Sequence, residues 1–118
     1  MLKNTTERST LLKKELIDFN FKNKEVLLDY LDNNMDLYPI LIKSESIIRK
    51  YFKNNELVLE YYFDPESSSL NCIFINILIT KDVDVSLAMS DIHKIDKEMD
   101  DLSTTNNYGK IIAKIDFT

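Results

Sequence analysis

The stretch from Leu70 to Thr80, LNCIFINILIT, constrains the fold more than any other part of the chain. Ile73, Ile75, Ile77 and Ile79 recur at every second position, while Cys72, Phe74 and Leu78 fill the alternate ones. An extended segment of this kind is apolar on both faces, broken only by Asn71 and Asn76. Left at a sheet edge or bare to water it would be an aggregation template, since backbone and side chains both invite another strand. It therefore belongs in the middle of a sheet, covered by the chain's own helices or by a second copy. The run is far shorter than the roughly 20 apolar residues that span a membrane, so a membrane location is not expected.

The neighbouring periodicities supply the rest of the sheet. Leu57, Leu59, Tyr61 and Phe63 alternate with Glu56, Val58, Glu60 and Tyr62, the period of a strand. Asp64 to Ser69 carries turn chemistry, with Pro65 presetting a dihedral and Asp64 able to bond the backbone ahead of it, so a hairpin follows. Asp82 or Asp84 then caps a long helix whose Val85, Ala88, Ile92, Ile95, Met99 and Leu102 step by threes and fours. After a polar loop and Gly109, Ile111, Ala113, Ile115 and Phe117 alternate in a closing strand.

The first half of the chain reads as helical. Leu11, Leu12, Leu16 and Phe19 predict a helix over Thr10 to Phe21. The Asn23 side chain is placed to cap a second, striped by Val26, Leu27, Tyr30, Leu31 and Met35 and ending near Asp36. Pro39 forces the break and sits in the first turn of a third, whose Ile40, Leu41, Ile47, Ile48, Tyr51 and Phe52 share a face. The expected fold is one α+β domain over residues 1–118: N-terminal helices (1–53), then a β-hairpin, a long crossover helix and a C-terminal strand (54–118) forming a three-stranded sheet. The Leu70–Thr80 strand is expected at its centre, parallel to the last strand and joined to it by a right-handed crossover.

Rare residues exclude much chemistry. One glycine cannot build a phosphate-cradling loop, and one cysteine with one histidine cannot furnish a zinc site or an internal disulfide. Cys72 lies on an apolar strand and reads as core, and His93 reads as a solvated residue on a helix flank. Asp82 to Ser86 begins like a calcium loop, but Leu87 stands where the turn glycine belongs and His93 where the closing glutamate belongs; capping carboxylates explain the same residues. No catalytic, cofactor-binding or metal-binding residue is expected, and the chain leans away from enzymes.

Charge separates the two halves. Residues 1–55 carry ten Lys or Arg against eight Asp or Glu, and residues 56–118 carry five against twelve. An acidic chain of net charge −5 is poorly suited to nucleic acid, although Lys43, Arg49, Lys50 and Lys53 could touch a phosphate backbone. An acidic lobe speeds encounter with a basic protein. The candidate partner-binding residues are Asp91, Asp96, Glu98, Asp100 and Asp101, and the candidate dimer face is Ile73, Ile75, Ile77 and Ile79. The preferred reading is a non-enzymatic protein-interaction module, antitoxin- or immunity-like, with a basic partner or itself. The alternative is a nucleic-acid-associated accessory protein or a small enzyme with a groove site near Asp91, His93 and the Lys43 to Lys53 surface. The polar start of the chain, without an apolar leader core, makes the cytoplasm the expected location.

Four segments carry a resemblance: ELVLEYYFDPE (Glu56 to Glu66), ILIT before DVDVSLAM, KIDKEMDD (Lys94 to Asp101) and GKIIAKIDF (Gly109 to Phe117). In this order the run from Ile47 to Thr118 resembles a group of small bacterial proteins, most familiar from cyanobacteria, that have no assigned activity. The resemblance implies a helix, strand, Asp-Pro turn, strand, helix, strand arrangement and a cytoplasmic, prokaryotic setting. The group typically carries aromatics where this chain has Met99 and its neighbours.

Overall fold

The computed structural model describes residues 19–67, 71–80, 82–102 and 109–117. In chain order these form β1 (Asn20–Lys22), α1 (Lys24–Asp32), α2 (Leu37–Arg49), β2 (Leu57–Tyr62), β3 (Cys72–Ile79), α3 (Val85–Asp100) and β4 (Ile111–Phe117). The α+β class holds, but the sheet has four strands, not three, in the order β1-β2-β3-β4. β1 is parallel to β2, β2 antiparallel to β3, and β3 parallel to β4. Both neighbours of β3 are those its two-sided apolar pattern asks for.

The added strand corrects the expected element order, because a strand precedes the helices. Asn20, Phe21 and Lys22 lie in register with Val58, Leu59 and Glu60. Phe21 thereby joins the apolar face, while Asn20 bonds Glu56 and Lys22 bonds Glu60 at 3.2 Å. Three residues that alternate polar, apolar, polar suit an edge strand better than the end of a helix. The rest of the expected Thr10 to Phe21 helix lies outside the described residues, except Phe19, which is buried.

Register sorts the sheet into two unlike faces. Leu57, Leu59 and Tyr61 pair with Ile77, Ile75 and Ile73, and these pair in turn with Ile115, Ala113 and Ile111. That face forms one core with Leu27 and Leu31 of α1, Leu41 and Ile48 of α2, and Ala88, Ile92, Ile95 and Met99 of α3. Ile73, Ile75, Ile77 and Ile79 are completely buried there. They are out of reach of a second copy, which removes them as a dimer face: each isoleucine gains about 1.5–3 kcal/mol from its own helices. All three helices lie over this face, so none of them covers the reverse side. Because β1 and β2 run one way and β3 and β4 the other, helices on a single face give the two crossovers, β1-α1-α2-β2 and β3-α3-β4, opposite hands. The right-handed rule therefore holds for only one of them.

Helix ends follow local chemistry, with three departures. Asn23 adopts a left-handed backbone (φ 55°) and makes no side-chain cap; its carbonyl accepts from Leu27 N–H at 3.1 Å instead. Asparagine tolerates that region better than most residues. α1 ends at Asp32, earlier than expected, and the Tyr38 hydroxyl donates to Asp32 at 2.8 Å to tie α1 to α2. Val26 and Val85, both placed on core stripes by spacing, are about half exposed. Elsewhere Asp84 is the cap of α3, accepting from Leu87 N–H at 3.1 Å, and Asp64 accepts from Glu66 and Ser67 N–H as the turn reading anticipates.

Candidate functional site

α3 carries four of the five candidate carboxylates, with Asp101 as its C-cap, and divides them. At 3.6 residues per turn, Leu87, Asp91, Lys94, Glu98 and Asp101 follow one flank, and Val85, Met89, His93, Asp96 and Asp100 follow the other, with the core stripe between them.

On the first flank, Glu98 is committed to the fold. Glu98 accepts from Lys50 and, at 2.9 Å, from the Tyr51 hydroxyl, both just beyond α2. The Lys50 bond and then the Tyr51 bond hold the Glu98 carboxyl below the ordinary glutamate range, and the same bonds push Lys50 and Tyr51 up. Glu98 is therefore matched inside the chain. Beside it, Tyr51, Lys94, Lys97, Glu98 and Asp101 line an open groove of about 380 Å³. Its lining holds no histidine, cysteine or serine, and His93 belongs to the opposite flank.

The second flank turns away from α2. Val85 and Met89 are 51% and 44% exposed and give this flank an apolar surface at the start of α3. Spacing alone missed this surface, because it assigned Val85 to the core. At the other end stand Asp96 and Asp100, both exposed. Burial and then the neighbouring Asp100 push the Asp96 carboxyl up, with His93 pulling the other way. Both carboxylates lie toward the helix C-terminus, where the macrodipole disfavours negative charge, and the only basic residue of the last turn is Lys97.

The basic candidates have work within the chain. Arg49 donates to the carbonyls of Phe52 at 3.1 Å and Asn55 at 2.6 Å and sits 3.8 Å from Glu45, closing the end of α2. Lys50 holds Glu98, and Lys43 and Lys53 lie on the surface. Cys72 is buried, and burial raises its thiol pKa against the pull of Lys110 and Lys114, the opposite of the electropositive, partly exposed setting that activates a thiol.

No described helix covers the reverse face of the sheet. It is mixed in character: the Tyr62 ring meets Phe74 at a tilt of 58° (5.9 Å between centroids), Lys114 lies 4.4 Å over the Phe74 ring, and Glu60 accepts from Lys22 at 3.2 Å and Asn76 at 3.1 Å. Those bonds lower the Glu60 pKa, the Asn76 bond most. Among the described residues no group of three or more His, Cys, Asp or Glu is placed to hold a metal, and no helix is long and apolar enough to cross a membrane. No protein-family model matches the chain, and neither a curated protein nor a solved structure matches it.

Proposed function

We propose that the chain is a protein-interaction module without catalytic activity, and that it binds a basic protein along the outer flank of α3. One observation carries this reading: Val85 and Met89, exposed and apolar, continue into Asp96 and Asp100 on the same helix flank. The two carboxylates oppose the helix dipole, and Asp96 is further disfavoured by burial and by its neighbour, an arrangement that costs the free protein stability. A partner's lysines or arginines would relieve that cost while its apolar surface covered Val85 and Met89, combining steering with desolvated contact. Asp91, Glu98 and Asp101 lie on the other flank, where Glu98 is held by Lys50 and Tyr51. A neutralising role, as the antitoxin or immunity member of a cytoplasmic bacterial pair, fits this chemistry.

The test immobilises the full chain and its Asp96→Lys/Asp100→Lys variant at low salt and compares what each retains from the source lysate. A basic protein held by the first and released by the second supports the reading. Identical retention by both, or no basic protein retained, overturns it.

A further inference from the structure

The geometry points to the outer edge of β4 as a self-pairing edge, on which a second copy of this chain adds its own β4 antiparallel to form one continuous eight-stranded sheet. β4 ends the strand order, and no described strand pairs with its outer side. It is seven residues long, whereas the opposite edge, β1, has three. The Ile73 N–H bonds the Lys110 carbonyl at 2.7 Å. In a parallel ladder this turns the backbone groups of Ile112, Lys114 and Asp116 toward β3, and those of Ile111, Ala113, Ile115 and Phe117 outward. The outward groups form a ready hydrogen-bonding row beside Ile112 and Phe117, which are 38% and 42% exposed.

Charge selects the occupant and the register. A lysine on an edge strand ordinarily discourages pairing, but here Asp116 follows Lys114 at the spacing that lets two copies satisfy each other. With the two-fold axis through Ile115, Lys114 faces the second copy's Asp116 twice, at non-hydrogen-bonded positions where side chains approach closest. On the helix-covered face, Ile115 then meets itself and Ala113 meets Phe117, so apolar groups meet apolar groups. An axis through Lys114 would set lysine against lysine, and one through Ala113 would set Lys114 against Ile112. The same two-fold brings the outer flanks of the two α3 helices onto one side of the joint sheet. This surface is separate from the residues whose reversal tests the basic-partner reading.

Sedimentation equilibrium of the full chain should give twice the monomer mass at about 100 μM, well above a micromolar dissociation constant. Lys114→Asp, which opposes like charges, should weaken the dimer at least tenfold, and Lys114→Asp/Asp116→Lys should restore it. The wild-type chain offers an independent readout: on concentration, the amides of Ala113, Ile115 and Phe117 should slow their hydrogen exchange while those of Ile112, Lys114 and Asp116 do not change. A monomer at every concentration overturns the proposal. So does a dimer indifferent to Lys114→Asp, or one without the alternating protection.

Discussion

Single residues decide how α3 sits on α2. Glu98 lies 48 and 47 residues along the chain from Lys50 and Tyr51, so their contact could not be read from spacing, and Glu98 stands among the surface acids until the fold shows its donors. Its effect on stability has a definite sign. A carboxyl whose pKa is lowered on folding contributes stability above the ordinary glutamate range and loses it as pH falls through the lowered value. Between about pH 6 and about pH 3 the wild-type urea midpoint should therefore fall more than that of Glu98→Gln. Asp96 has the opposite sign. Its raised pKa means that the folded chain holds that proton more tightly, so stability drops as pH rises from the ordinary aspartate range through the raised value. Asp96→Asn should raise stability at neutral pH, measured by urea unfolding, by roughly a few tenths of a kcal/mol after solvent screening. Cys72 and His93, by contrast, are placed as their local sequence indicates, one buried and one exposed.

At the scale of elements, the long periodic segments were the most legible. α2, α3 and the three longer strands lie where hydrophobic spacing puts them, and turn chemistry at Asp64 and capping at Asp84 are local interactions that short-range sequence encodes directly. Asp84→Ala removes the acceptor for Leu87 N–H and should destabilise the protein by about 1 kcal/mol in urea unfolding, with the change confined to stability. β1 escaped because three residues give too few alternations to show a period, and its strand character comes from Leu59 and Glu60 across the sheet. Val85 was assigned to the core because helical spacing gives an angle around the axis but not the depth at which a helix end meets the sheet.

For the whole molecule, the governing asymmetry is a sheet with one deeply covered face. Ile75→Ala, at the centre of that face, should cost about 2–5 kcal/mol by loss of burial and cavity formation. Ile112→Ala, on the reverse face of β4, should cost less than about 1 kcal/mol, since that side chain keeps much of its exposure in the monomer. Urea unfolding of the two variants side by side measures the difference. The α+β class, the hairpin, the central position of β3 and the need to bury its isoleucines all follow from residue order, because alternation and capping act over a few positions. Which side the helices take, the fourth strand, the opposed hands of the two crossovers and the division of the acidic residues between α2 and solvent emerge only on folding. Each depends on packing between segments distant along the chain, where many arrangements bury the same side chains and geometry alone selects among them.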